Sequence, residues 1–322
     1  MARRNRDRGW PPVPEPLPAP VVDDHTHLES VLGVPAGAGR DDPEPAPATP
    51  DDHLDRAAAV GVTRLVQVGC DLDAAAWTVT ALTADAGRDG GPVRPGRRAL
   101  LGALAIHPNE AVLHAGVREV APDGLDPDPL PRHDVPLDEA LARVADLART
   151  HDRVRAIGET GLDHFRAGPR GQAVQREAFR SHIALAKELG LALQIHDRDA
   201  HTEVVDVLLR DGAPERTVLH CFSGDVALAE VCAREGWFCS FAGPVTFGAN
   251  EDLRAALRAL PLDLLLVETD APYLTPHPLR GRPNSPYLLP HTVRRIAHER
   301  DLPLDRTCHA LSRTAERVYG AW

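Results

Sequence analysis

Lysine is almost missing from this chain. Among 322 residues Lys187 stands alone, and every other basic residue is arginine. Alanine, proline and glycine are abundant as well, so compositional bias accounts for the exchange. Positive charge is also scarce overall. Lys+Arg number 36 against 47 Asp+Glu, a formal net charge of −11, which excludes a protein that coats nucleic acid through bulk charge. It leaves room for an enzyme that holds phosphates through metal ions and a few arginines. The five cysteines are odd in number and form no C-x-x-C, which excludes a disulfide framework and fits a reducing compartment. No run approaches the ~18–20 apolar residues of a membrane span. Residues 1–20 carry arginines and then prolines rather than an apolar run, unlike a secretory signal. The expectation is a cytoplasmic protein with no membrane partner.

Four stretches read as additions to a compact domain: the Pro-rich tail 1–20, and the Gly-, Pro- or Asp-rich segments 31–50, 84–97 and 114–136. Their composition predicts disorder. The remainder approaches the ~250 residues of a (β/α)₈ barrel. Short apolar runs recur at 21–28, 63–70, 99–107, 154–163, 191–197, 216–222, 237–243 and 263–270, with helical patterns between them. Eight strands alternating with helices predict βαβ units closed into a parallel barrel. The expected organisation is a single α/β domain, a (β/α)₈ TIM barrel over 21–322, preceded by a disordered tail over 1–20.

Buried parallel strands should be apolar throughout. Here they end in polar residues: His25-Thr26-His27, His107, Glu159, His196, His220 and Glu268-Thr269-Asp270. In a barrel those ends converge on one mouth. His25 and His27, two apart on a strand, point to the same face and suit one metal ion. His196 and His220 form a second pair from neighbouring strands. Glu159 lies between the pairs as a possible bridge, and Asp270 completes the first site. Imidazole and carboxylate donors suit a divalent ion such as Zn, Mn, Mg or Ni.

These stretches resemble the TatD family of metal-dependent deoxyribonucleases, within the wider amidohydrolase-type barrels. The matches are Asp23 to Leu28, Ala105 to Pro108, Ala156 to Asp163, Ile195 to Ala200, Leu219 to Gly224 and Glu268 to Pro276, in family order. The resemblance implies two divalent metal ions per subunit, one held by His25, His27, Glu159 and Asp270 and the other by Glu159, His196 and His220. It places His107 near the site, on substrate or an extra ion. Asp197 after the strand-five histidine, Ser285 in Arg280-Gly281-Arg282-Pro283-Asn284-Ser285-Pro286, and His164-Phe165-Arg166 depart from the family pattern. The departures leave the metal set intact and bear on substrate preference.

The implied reaction is hydrolysis of DNA phosphodiester bonds, with two ions activating water and clamping an in-line displacement. Asp270 is the candidate for orienting that water and taking its proton, and Glu159 for bridging. Arg166 and Arg198 are candidates for substrate phosphates. Many related barrels bridge their metals with a carbamylated lysine. Lys187, inside a helical pattern, cannot serve, so the bridge falls to Glu159. Single strands or ends suit the acidic surface better than long duplexes, and a monomer is the default. A second reading is hydrolysis of a C–N or carboxylic ester bond by the same barrel. A third is a non-catalytic metal-binding interaction protein docking through its Pro-rich tail. His53, His114, His133, His151, His182, His201, His277, His291, His298 and His309 read as solvated or capping residues. Cys221, next to His220, reads as core packing.

Overall fold

The computed structural model describes residues 8–34, 47–86 and 99–322. Among them eight strands form one parallel sheet in sequence order. They are β1 (Val21–Thr26), β2 (Val62–Gly69), β3 (Leu100–Leu104), β4 (Val154–Asp163), β5 (Ala192–Arg198), β6 (Thr217–Leu219), β7 (Phe238–Phe241) and β8 (Leu265–Val267). The ring closes where the Asp270 amide donates to the His25 carbonyl and the His27 amide to that of Ala271, both at 2.9 Å.

Alternation along the strands sorts two apolar clusters. Val66, Val68, Leu101, Ala103, Ala156, Ala192, Val218 and Leu266 fill the barrel interior with Val318 and Tyr319 of the helix Leu304–Tyr319. The opposite faces, such as Leu65, Leu104, Ile157 and Leu193, pack in the larger cluster formed with the surrounding helices. Tyr319 is fully buried, donates to Asp24 Oδ2 at 3.0 Å and accepts from Gln194 Nε2 at 2.8 Å. That plug shuts one end of the barrel and leaves the strand C-termini as the open one.

β3, β6, β7 and β8 are shorter than the apolar runs that mark them. The residues missing from the C-terminal ends have left the ladder at the mouth. His107, for example, caps the helix Pro108–His114, its Nδ1 accepting the Asn109 N–H at 3.1 Å. Gly161 has a φ of +143°, and a Cβ there would meet the His196 carbonyl oxygen at 2.0 Å. Glycine at this position brings β4 against β5 beside Glu159 and His196.

Parts of the stretches expected to be disordered lie among the described residues and make specific contacts. Residues 8–20 lie along the barrel, with Trp10 4%, Leu17 7% and Ala19 7% exposed. The Trp10 ring meets His53 at 5.2 Å, the Pro11 carbonyl accepts from Tyr287 Oη at 2.7 Å, and the Leu17 amide donates to the Val60 carbonyl at 3.0 Å. Prolines kept this segment extended, and its few apolar side chains anchor it. The 114–136 stretch is pinned by ion pairs: Arg132 with Glu110 and Arg166 with Asp123, both at 2.7 Å. Residues 1–7, 35–46 and 87–97 of the expected additions lie outside the described residues.

Candidate metal centre

All six predicted ligands meet at the barrel mouth, and the two oxygens of Glu159 face different imidazoles. Oε2 lies 3.7 Å from His25 Nε2 and 3.8 Å from His27 Nε2. Oε1 lies 2.6 Å from His196 Nδ1, 2.8 Å from His220 Nε2 and 3.5 Å from His107 Nε2. Asp270 Oδ1 closes the first group, 3.4 Å from His27 Nε2 and 3.9 Å from His25 Nε2. Apart from partly exposed His107 and His196, these residues are buried.

The hydrogen bonds fix several tautomers. His27 Nδ1–H donates to the Val68 carbonyl at 3.2 Å, which leaves the Nε2 lone pair facing the site. His25 Nδ1 is buried without a partner, so that ring engages only through Nε2, 3.2 Å from His27 Nε2. Two lone pairs at that separation call for a shared cation or proton. His107 differs. Its Nδ1 accepts a backbone N–H, so the neutral ring carries its proton on Nε2 and is a donor at the mouth rather than a metal ligand.

Burial pushes the His25 imidazole down, as does the charge of His220. Burial opposes a charge on His220 too, but Glu159 and Glu268 outweigh it and raise that ring well above its ordinary value. His196 is raised to about 9, where hydrogen bonds to Asp163 and Glu159 overcome burial. Glu159 is held well below the usual carboxylate range, the charge of His220 and hydrogen bonds from His107 and His196 outweighing its burial. The result is an ionised carboxylate among imidazoles, the donor chemistry of a site for borderline divalent ions.

Two carboxylates belong to the site that the sequence reading did not single out. Asp163 Oδ2 lies 3.2 Å from His196 Nε2 and accepts Asn109 Nδ2 at 2.9 Å. Glu268 Oε1 lies 3.2 Å from His220 Nδ1 and is fully buried. Both orient a ligand imidazole from behind, and such partners tune a metal site. Asp163 stands four residues after Glu159 on one strand, a spacing that puts both on one face. Glu268 lies two before Asp270, and period alone offered that clue.

The histidines read as solvated divide. His53, His114, His133 and His182 are buried, and His182 has its Nδ1 2.8 Å from Thr160 Oγ1 and its Nε2 accepting the Ile106 N–H. Such rings replace backbone partners that water would otherwise supply. Cys221 lies beyond the end of β6 in a left-handed conformation (φ 42°), so strand alternation does not place it. Its thiol is raised by burial and by the charges of Glu268, Asp270 and Glu159. Arg166 is paired with Asp123, whereas Arg198 sits at the end of β5 with its guanidinium 4.0 Å from the Phe165 ring centroid. Lys187 Nζ donates to the Asp211 carbonyl at 2.8 Å, away from the mouth.

The family model for TatD related DNase matches residues 22–320. The chain belongs to this family. An uncharacterized metal-dependent hydrolase TatD of Mycobacterium tuberculosis is 38% identical over 304 residues, 93% of this chain and 98% of the relative. The uncharacterized metal-dependent hydrolase YabD of Bacillus subtilis is 38% identical over 184 residues, 56% of this chain and 71% of the relative. Among solved structures, the TatD homologue YJJV of Escherichia coli superposes with a TM-score of 0.72 at 24% identity, over 94% of this chain and 98% of that one. A TatD-family hydrolase of Entamoeba histolytica gives 0.74 at 16% identity, over 94% and 99%. This TatD protein is therefore a metal-dependent hydrolase on a TIM barrel, with candidate ligand groups at its mouth. No described helix is long and apolar enough to cross a membrane.

Proposed function

We propose that this TatD protein is a deoxyribonuclease that hydrolyses phosphodiester bonds with two divalent ions. The observation that carries the reading is the divided reach of Glu159, with Oε2 toward His25 and His27 and Oε1 toward His196 and His220. A carboxylate so placed is suited to bridge two ions, with Asp270 completing one set.

Bound there, the ions would supply the positive charge that neutralises a phosphodiester and an activated water for in-line displacement. The chain's own residues do the rest. Asp270 Oδ1 faces the His25–His27 side of the site and, 9% exposed, remains open to the mouth. It orients the attacking water and accepts its proton. His107 Nε2–H donates to a non-bridging phosphate oxygen or to the departing one. Arg198, preoriented by Phe165, holds an adjacent phosphate. Arg166 gives up Asp123 before it does the same. The substrate is a DNA single strand or end, because a net charge of −11 disfavours a long duplex, and the protein works as a cytoplasmic monomer.

The test is a cleavage assay on labelled single- and double-stranded DNA with Mg²⁺, Mn²⁺ or Zn²⁺, beside a panel of amide and carboxylic ester substrates. Metal-dependent DNA cleavage, lost in Asp270→Asn and His220→Ala proteins that still fold, supports the reading. Turnover confined to amides or carboxylic esters overturns it.

A further inference from the structure

A groove of about 940 Å³ opens beside the mouth, between the loop after β7 and the segment after β8. Phe247 and Asn250 line one wall, and Leu274, Thr275, Arg280 and Arg282 the other. None of the described residues that line it is acidic. That is unusual in a chain of net charge −11. Two other surface grooves carry several carboxylates each: Glu119, Asp126 and Asp128 in one, Asp199, Glu203 and Asp206 in the other.

Three arginines line the groove, Arg8 at its rim, Arg280 and Arg282, and they differ in availability. Arg282 is spent on structure, donating to the Gly9 carbonyl at 2.8 Å and to that of Trp10. Arg280 is exposed, has no carboxylate partner among the described residues, and lies 5.6 Å from the Phe247 ring centroid. An arginine held beside an aromatic face offers a phosphate fork and a stacking platform together.

The groove is joined to the metal centre by one short segment. Asp270 begins it, and Leu274 and Thr275 end it as groove wall. Tyr273 lies between, 56% exposed, with its ring 6.1 Å from that of His27. The opposite wall abuts the same segment: a Cβ on Gly243 would meet the Leu274 carbonyl oxygen at 1.9 Å. The two loops are thus packed backbone to backbone, and the groove keeps a fixed relation to Asp270.

We infer that this groove is the exit track for a single-stranded polynucleotide whose scissile phosphate lies at the metal centre, with Arg280 on a backbone phosphate and Phe247 under a base. The inference rests on the phosphodiesterase reading. It assigns the strand a direction away from the acidic grooves and makes chain length past the scissile bond a source of affinity.

The test uses the full-length, metal-loaded protein and a fluorescent twelve-nucleotide single strand with cleavage-resistant phosphorothioate linkages. Binding is followed by anisotropy across a salt series. Arg280→Glu should weaken binding about tenfold or more and lower the salt slope by about one. Phe247→Ala should weaken binding about tenfold with the slope retained. Unchanged affinity and slope in Arg280→Glu, or no strand binding by the unaltered protein, overturns the groove assignment. Hydrolysis of a small chromogenic phosphodiester by the unaltered protein is measured alongside. Turnover there with no effect of Arg280→Glu on binding removes only the groove. Arg280-dependent binding with no diester or DNA cleavage removes only the phosphodiesterase reading.

Discussion

Glu268 holds His220 from behind. Its Oε1 lies 3.2 Å from His220 Nδ1 and accepts the Cys221 amide N–H at 2.8 Å. The backbone bond fixes the carboxylate, and the carboxylate fixes the ring so that Nε2 points at Glu159. Glu268→Gln keeps the shape and removes the charge that raises the basicity of His220. Metal affinity should fall about 10–100-fold, as for other outer partners of ligand imidazoles, with the fold retained. Calorimetric metal titration together with circular dichroism checks this; an unaltered affinity would take Glu268 out of the site.

Glu159 faces both halves of the candidate centre, so its loss should cost more than loss of an outer partner. Glu159→Gln is expected to lower hydrolysis by more than about 100-fold. The bound metal per chain should fall from two toward none, measured by elemental analysis after gel filtration. A variant that keeps both ions and its activity would show that no bridging carboxylate is needed.

Metal binding should strengthen as pH rises. His196, raised to about 9, and His220, raised well above its ordinary value, are protonated before a cation takes their place. Ligand imidazoles must be neutral to bind, so each ion captured there releases protons. Between about pH 6 and 9 the apparent affinity should climb, and titrations in buffers of different ionisation heat should report proton release. A flat profile would mean that these rings are not ligands.

Acid should destabilise the fold through rings outside the centre. His182 and His53 are each lowered to about 4, mainly by burial. Their folded values lie below the unfolded one of about 6.5, so the unfolded chain binds more protons between the two. The stability their neutral forms provide is present in full above the unfolded value and is lost as pH falls toward about 4. Thermal melts over this window should show a falling midpoint. His53→Asn, which keeps a polar group near the Nδ1 that lies 2.8 Å from Ser285 Oγ, should flatten the slope. An identical slope would assign the acid sensitivity elsewhere.

The gathering of the candidate ligands at the mouth was legible because each interrupts an apolar strand. His25, His196 and His220 have no reason to end such runs except what the mouth requires. Asp163 and Glu268 were harder to see, because each lies in the same motif as a ligand and looks like its neighbour. The buried histidines were missed for a different reason. Burial of His182 depends on Thr160 and the Ile106 amide, partners far away in sequence. The availability of Arg166 and Arg198 was likewise unreadable, since Asp123 and Phe165 reach them only in the folded chain.

Residues 8–20 of the Pro-rich segment pack on the barrel, and Trp10 is where that can be tested. Its composition lacks enough apolar residues to fold alone, yet the barrel supplies a surface for the few it has. Trp10 is 4% exposed and packs on His53, while neighbouring carbonyls accept hydrogen bonds from Arg282 and Tyr287. Truncating a buried aromatic costs about 3–5 kcal/mol. Trp10→Ala should destabilise the protein by about that amount in chemical denaturation and expose residues 8–20 to protease. A protein as stable as the original would show that the segment rests on the barrel without bracing it.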